Sequence, residues 1–209
     1  MASPPHPWLN PALTVGGLAP LMMLAVQGPR GDLGPNAVEA ALNQTGLLAL
    51  VLLLASLACT PLRLVFKWTW PARIRRTLGL LAFTYASSHF LVYAVLDQGL
   101  KLGAILEDIG KRPFITVGFT ALMLLVPLAV TSTNRWVRRL GFPRWQRLHR
   151  LAYVAAVLGV IHFVWRVKKD LTEPLLYAAV LALLFAIRGA EALRKRRARA
   201  SVVARSAAS

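Results

Sequence analysis

Long apolar segments alternate along the chain with short polar segments that are rich in arginine, proline or glycine. A helix needs about 20 apolar residues to cross the hydrocarbon core of a membrane, and six segments approach or reach that length. They are residues 11–26, 45–65, 77–97, 114–130, 148–166 and 174–190. The pattern predicts an all-α integral membrane bundle of six transmembrane helices, or of five if the first and shortest segment does not cross.

The polar segments divide the chain into a membrane domain and two small ends. Residues 1–10 are rich in proline and are expected to form a loose lead-in to a membrane domain at 11–190. Residues 191–209 are basic and rich in alanine and serine, and we expect a disordered cytoplasmic tail there. Residues 98–112 place leucine and isoleucine among charges, which is typical of an amphipathic surface helix.

The composition agrees with a membrane location. Hydrophobic residues make up 56% of the 209 positions and the mean hydropathy is +0.55, which is too apolar for an ordinary soluble domain. Eighteen of the 25 Lys and Arg residues fall in the turns at 61–76 and 131–150 and in the tail from 188 onward. The positive-inside rule places these segments, and with them both termini, in the cytoplasm.

The formal net charge of +17 does not indicate a nucleic-acid-binding protein. The basic residues flank apolar segments and form no groove with interleaved aromatic residues, so contact with anionic lipid headgroups is the simpler explanation. The single cysteine, Cys59, excludes an intramolecular disulfide and a cysteine-ligated iron–sulfur cluster. We therefore expect membrane lipid and no nucleic acid as partners, with Cys59 packed in the core.

Three of the four histidines lie inside or beside apolar segments. An ionisable side chain near the centre of a membrane costs about 2.5–3.5 kcal/mol or more, so each is a functional candidate. His89 is the thirteenth residue of segment 77–97, and His162 is the fifteenth of segment 148–166. Because both segments are predicted to run from inside to outside, these histidines lie at similar depth. Imidazole is a common ligand of haem iron, so the pair predicts a haem held between two helices.

His149 precedes His162 by thirteen residues, which places it about 20 Å closer to the cytoplasmic face. A second haem there needs a partner on the earlier helix, where Arg75 stands fourteen residues before His89. Either His149 ligates an inner haem with an unusual or absent sixth ligand, or Arg75 pairs with a propionate at a degenerate site. Thirteen residues at about 100° each leave His149 and His162 off a common face, so we expect a bend near Gly159 or a helix that begins after His149.

A structural role is the simpler alternative for each histidine. An intramembrane histidine also occurs as a hydrogen-bonded packing residue, and His149 lies beside Arg147 and Arg150, where headgroups or solvent are close. His6, flanked by prolines, is expected to be a solvated surface residue. If the histidines only pack the bundle or gate protons, the protein is a haem-free transporter or scaffold and is colourless when purified.

His89 and the His149-x12-His162 pair resemble the ferric reductase-like transmembrane domain that NADPH oxidases and metalloreductases share. That family carries H-x13-H or H-x12-H pairs on two helices, and here Arg75 replaces the first histidine of one pair. The arginine, the absence of a flavin and NAD(P)H domain, and the segment Trp145–Tyr153 (WQRLHRLAY) are similar to the MsrQ (YedZ) subfamily. The resemblance covers nearly the whole chain.

The resemblance implies a bacterial inner-membrane subunit with one or two haem b groups. Its implied iron ligands are His89, His149 and His162, with Arg75 as a propionate partner or an unusual ligand. Electrons would come from the quinone pool or a cytoplasmic flavin reductase and pass to MsrP, a periplasmic molybdopterin enzyme that reduces oxidised methionine in proteins. The reduction itself would occur on that partner, so no catalytic residue is assigned here. FMN is also implied by the resemblance, although no sequence feature marks a site for it.

The nearest alternative within the same class is a cytochrome subunit that reduces ferric or cupric ions directly, without a molybdoenzyme partner. For a partner that docks on the outer side, the topology leaves segments 27–44 and 98–112 as the expected contact regions.

Overall fold

The computed structural model describes residues 8–167 and 169–207, and these residues form an all-helical bundle. The helices are α1 (Leu9–Arg30), α2 (Ala37–Phe66), α3 (Pro71–Leu91), α4 (Leu102–Lys111), α5 (Pro113–Val130), α6 (Asn134–Leu140), α7 (Phe142–Leu148), α8 (Leu151–Arg166) and α9 (Thr172–Ala207). Helix α3 continues without a break into a π-helical segment, Val92–Asp97. The predicted fold class is confirmed.

Six helical segments of the described chain are long and apolar enough to cross a membrane. They are α1, α2, α3 with its π-helical segment, α5, α7 together with α8, and α9 up to Ala198. The second of them begins at Ala37, earlier than the sequence pattern predicts, because the polar residues before position 45 form the first turns of the same helix. The protein is therefore a multi-pass membrane protein.

The last helix differs from its sequence-based expectation. The basic segment after residue 190, which the sequence predicts to be a disordered tail, continues α9 as far as Ala207. Alanine, leucine, arginine and lysine are strong helix formers. Glu191 adds ion pairs on the same helix with Arg194 at 2.9 Å and with Lys195 at 3.4 Å.

The core of the bundle lies where α2 packs on α3 and α5 packs on α8. Leucines from α2, α5 and α9 fill it, and small residues allow close approach of the helices. Ala82 of α3 and Ala155 and Ala156 of α8 are at most 1% exposed. Helices that approach so closely hold the side chains between them in fixed positions.

The two ends of the bundle differ in charge. At the end we call the basic end, the α2–α3 turn and residues 131–150 come together, and Arg76 Nη1 donates to Asn134 Oδ1 at 3.4 Å. Gly141 joins α6 to α7 there with φ 73° and ψ 146°, a conformation that favours glycine. The opposite end, which we call the mixed-charge end, contains residues 31–36, 98–112, 167 and 169–171.

Helix α4 at the mixed-charge end is the amphipathic helix that the sequence predicts. Ile105 is buried, whereas Leu102 and Leu106 are exposed. Asp108 ties α4 to the π-helical segment, because its carboxylate accepts a hydrogen bond from Tyr93 Oη at 3.0 Å and pairs with Arg112 Nε at 3.1 Å. The segment after His89 is thereby fixed against α4.

Candidate functional site

His89 lies on α3, close to the start of the π-helical segment. Its Nδ1 lies 3.0 Å from the carbonyl oxygen of Leu42 on α2 and 3.4 Å from Thr45 Oγ1. The Thr45 hydroxyl donates to the carbonyl of Ala41 at 2.6 Å. Because a carbonyl oxygen only accepts, the hydrogen-bond network places the proton of the neutral imidazole on Nδ1. The Nε2 lone pair of His89 is therefore available to a metal ion.

His162 on α8 repeats this arrangement against α5. Its Nδ1 donates to the carbonyl oxygen of Phe114 at 2.7 Å. Within residues 8–167 and 169–207, neither His89 nor His162 has a hydrogen bond at Nε2. An Nδ1–H bond to a backbone carbonyl fixes the orientation and tautomer of a metal-binding histidine, so both rings are held in the tautomer that a ligand through Nε2 needs.

A glycine follows each accepting carbonyl by four residues. Gly46 follows Leu42, and Gly118 follows Phe114. A Cβ atom at position 46 would lie 3.0 Å from His89 Nδ1, and one at position 118 would lie 2.7 Å from His162 Nδ1. Neither glycine was predicted as a site residue from the sequence, although glycine inside an apolar helical segment is itself a signal of close approach.

The two rings face each other across the bundle. Their centroids are 6.1 Å apart and their planes are inclined by 83°. Since an imidazole nitrogen binds a first-row metal ion at about 2 Å and lies about 1 Å from the centre of its ring, two imidazoles on opposite sides of one metal have ring centres roughly 6 Å apart. The observed separation matches that requirement.

The histidines line a cavity of about 600 Å³ between α2, α3, α5 and α8. Its volume lies in the range of about 300–1,000 Å³ that is usual for small-molecule and cofactor pockets. The walls are mainly apolar, with Leu50, Leu53, Phe90, Phe119, Leu122 and Phe163 among the lining residues. The cavity therefore suits a large, mostly apolar ligand with a metal at its centre.

Charged residues surround the mouth of the cavity at the mixed-charge end. Arg166 follows His162 by one helical turn and lines the same cavity. The other charged lining residues are Arg112, Asp97, Asp170 and Glu173. In the described part of the chain, no carboxylate lies within ion-pair distance of Arg166. Thr172 donates its backbone N–H to Asp170 Oδ1 at 2.9 Å, and its hydrogen bonding lowers the pKa of this carboxyl.

His149 lies apart from this pair, at the basic end, between α7 and α8. The helix that carries His162 begins at Leu151, so His149 lies before it, as one of the two sequence-based explanations expects, and α8 runs without interruption through Gly159. The His149 ring stacks on Trp145 with centroids 4.0 Å apart. These contacts place His149 near the end of the bundle.

The tautomer of His149 differs from that of the facing pair. Its Nε2 lies 3.1 Å from Thr131 Oγ1, and that hydroxyl donates to the carbonyl of Pro127 at 2.6 Å. The proton of a neutral His149 is therefore assigned to Nε2. In this arrangement Nε2 has no free lone pair for a metal.

Arg75 also lies at the basic end, but it is not joined to His149. Its Nη2 donates to Thr60 Oγ1 at 2.7 Å, and its carbonyl accepts from Ser56 Oγ at 3.0 Å. Across the described residues, no hydrogen bond or ring contact links Arg75 with His149. The structure thus brings His89 and His162 together and leaves the other two predicted site residues separate.

Fold and site together define a multi-pass helical membrane protein whose core presents two facing histidines to an apolar cavity. The sequence pattern of the family described as "Ferric reductase like transmembrane component" matches residues 44–160. The chain belongs to this family and, within it, to the group of MsrQ subunits, as its similarity to several relatives shows.

Three relatives carry the name "Protein-methionine-sulfoxide reductase heme-binding subunit MsrQ". The protein from Deinococcus radiodurans is 54% identical over 87% of this chain and 89% of the relative. The protein from Rhodospirillum rubrum is 54% identical over 89% of each chain. The protein from Herminiimonas arsenicoxydans is 44% identical over 93% of this chain and 90% of the relative. No solved structure matches.

Proposed function

We propose that this protein is a haem b-binding electron-transfer subunit of a protein-methionine-sulfoxide reductase system. The observation that carries the proposal is the His89–His162 pair, with ring centroids 6.1 Å apart and each Nδ1 bonded to a backbone carbonyl. The names of the relatives, which call them heme-binding subunits, support it.

The donor set fits haem better than a bare metal ion. No group of three or more His, Cys, Asp or Glu side chains that could hold a metal ion occurs in the described part of the chain. Two imidazoles alone leave most coordination positions of an iron ion open, whereas a porphyrin supplies four further nitrogens. The single cysteine makes covalent attachment through a C-x-x-C-H motif impossible, which is consistent with the non-covalently held haem b that we propose.

The chain's own residues would hold the group in three ways. His89 and His162 would bind the iron through Nε2, and the apolar walls of the cavity would exclude water. Arg166 at the mouth, which has no ion pair among the described residues, would neutralise a propionate. The bound haem would supply one-electron redox chemistry, and the protein would tune it through its ligands, burial and charge.

The proposed direction of electron flow combines the orientation that the charge asymmetry indicates with the path that the family resemblance implies. The positive-inside rule places the basic end, with both chain termini, in the cytoplasm of a bacterium and the mixed-charge end outside its inner membrane. Electrons from the quinone pool or a cytoplasmic flavin reductase would then reach a periplasmic molybdopterin reductase, MsrP, which repairs oxidised proteins. FMN is carried over from the family resemblance alone, and the flavin content of the purified protein tests it.

A second haem at His149 and Arg75 stays a prediction. For His149 to bind iron through Nε2, its hydrogen bond to Thr131 Oγ1 would have to break. Otherwise His149 would have to bind iron through Nδ1. We therefore assign the main spectral signal to the His89–His162 pair and leave the inner site to experiment.

The test is the haem content of detergent-purified wild type and of three variants, His89→Ala, His162→Ala and His149→Ala. The dithionite-reduced minus oxidised spectrum gives the haem type, and pyridine haemochrome quantification gives haem per chain. We expect a b-type low-spin spectrum that disappears in the first two variants and persists in the third.

The outcomes separate the alternatives clearly. A colourless wild-type protein would overturn the proposal in favour of a transporter or scaffold. A spectrum that survives in both His89→Ala and His162→Ala would overturn the ligand assignment. A drop from two haems to one in His149→Ala would establish the second site.

A further inference from the structure

Two arginines from different helices pack on one turn of α2. Arg75 of α3 donates through Nη2 to Thr60 Oγ1 at 2.7 Å, and Arg188 of α9 donates through Nη2 to the carbonyl of Leu57 at 2.8 Å. Leu57 and Thr60 are three residues apart and therefore lie next to each other on the helix surface. Both guanidinium groups also lie close enough to Cys59 to interact with it electrostatically.

Every hydrogen-bond partner of these two side chains is neutral. Arg188 Nη1 also donates to the hydroxyl of Tyr153, whose ring centroid lies 5.0 Å from the guanidinium carbon. The Nε atoms of Arg75 and Arg188 are buried and have no hydrogen-bond partner. The guanidinium groups of Arg75 and Arg188 therefore lie inside the bundle, and each has an N–H donor that lacks an acceptor.

The described chain offers no counter-ion for them. Seven of its eight acidic residues lie in the segments of the mixed-charge end or within three residues of them, and Glu191 is the exception. Glu191 binds Arg194 and Lys195 farther along α9. Both residues are partly buried, and a charge that is partly removed from water without an opposite charge is unfavourable, so an anion from outside the chain is expected to neutralise the pair.

The depth of the two arginines in the membrane limits the anion to one that can reach the boundary between hydrocarbon and headgroups. Arg75 stands four residues into α3, about 6 Å from its start at the basic end, and Arg188 lies about 24 Å along α9 from its start at the opposite end. Both positions approach the boundary between hydrocarbon and headgroups. Arginines at that depth usually extend toward water, whereas these two turn inward onto α2.

We propose that Arg75 and Arg188 form a binding site for the oxyanion of a membrane-embedded molecule. A guanidinium group binds carboxylate or phosphate oxygens with two parallel N–H bonds, and two such groups on one helical turn suit a single anionic group. That chemistry belongs both to the propionates of a second haem and to the phosphate of an anionic phospholipid. The site is separate from the His89–His162 pair and does not depend on it.

The experiment compares the wild type with Arg75→Gln and Arg188→Gln, with Arg63→Gln as the matched control. Arg63 is an exposed arginine at the same end of the bundle and lies outside the cluster. Each protein is purified in a neutral detergent, and haem per chain is measured. Its melting temperature is then recorded with added phosphatidylglycerol or, as the uncharged comparison, phosphatidylcholine. Arg75→Lys and Arg188→Lys, which keep the charge, serve if a glutamine variant does not fold.

Two results would support the site, and they identify the source of the oxyanion. Loss of one haem per chain in both cluster variants, but not in Arg63→Gln, would identify a propionate. Unchanged haem, with the concentration of phosphatidylglycerol needed for stabilisation raised about tenfold or more, would identify a headgroup phosphate. Cluster variants that match Arg63→Gln in both measurements would overturn the proposal. A loss of haem supports the propionate only if the spectral signal assigned to the His89–His162 pair persists, whereas the phosphatidylglycerol outcome does not depend on that pair.

Discussion

Gly118 packs so closely on His162 that a Cβ atom at position 118 would lie 2.7 Å from Nδ1 of the ring. The missing side chain lets the imidazole reach the carbonyl of Phe114, one helical turn earlier. Gly46 does the same for His89, with its hypothetical Cβ 3.0 Å from Nδ1. Each facing histidine is thus oriented by a helix other than its own, through a carbonyl and a glycine four residues later.

Replacing Gly118 with alanine should displace the His162 ring, because the new methyl group would overlap Nδ1 while the ring is held between packed helices. We expect haem per chain to fall in Gly118→Ala, with a shift from the low-spin spectrum. Gly79→Ala is the control, since a Cβ there would meet Ser56 Oγ at an ordinary 3.5 Å and Gly79 does not line the cavity. Equal haem content in the two variants would show that the close approach is not needed.

Arg166 should raise the midpoint potential of a haem bound by His89 and His162. A positive charge near the iron favours the reduced state, so Arg166→Gln should lower the potential. A tenfold change in the equilibrium corresponds to about 59 mV for one electron, and we expect a decrease of that order. Arg166→Lys keeps the positive charge, so its midpoint potential should stay close to that of the wild type. The control is Lys101→Gln, which removes an exposed charge at the same end but not from the cavity. Potentiometric titration measures all three.

Ala156 should not tolerate a larger side chain. It is fully buried in the core, and overpacking a core position typically costs about 1–3 kcal/mol. Ala156→Leu should therefore lower the melting temperature and, by moving α8, reduce haem binding at His162. Val157→Leu is the matched control on the neighbouring position, which is exposed. The two should differ in thermal unfolding followed by haem absorbance, and identical curves would contradict the packing argument.

Removing the Tyr93 hydroxyl should loosen the mixed-charge end without emptying the site. A hydrogen bond to a charged group contributes about 1.5–3 kcal/mol, and the Tyr93–Asp108 bond joins α4 to the segment that follows His89. Tyr93→Phe should increase hydrogen exchange in α4 while haem per chain stays at the wild-type value. Tyr177→Phe supplies the comparison, because in the described structure its hydroxyl makes no hydrogen bond. Unchanged exchange in Tyr93→Phe would mean that the hydrogen bond from Gln98 Nε2 to Asp108 Oδ2, at 3.2 Å, is sufficient to hold α4 in place.

Local patterns in the sequence were sufficient for several features. The length of the apolar segments fixes the number of spans, because hydrocarbon thickness sets the helix length. The position of His89 and His162 within their segments predicts similar depth, and their rings do lie 6.1 Å apart. Whether they bind iron, and whether His149 and Arg75 form a second site, are still predictions.

What the sequence alone determined about this protein is what depends on distance along one helix: six spans, the basic and mixed-charge ends, the amphipathic α4, and the depth of each histidine. What only the tertiary structure decided depends on contacts between helices. These are the carbonyls of Leu42 and Phe114 that assign the tautomers, and the placement of Arg188 beside Arg75 instead of in the basic tail. Which side chains meet is set by helix packing and rotation, and no spacing within a single helix encodes it.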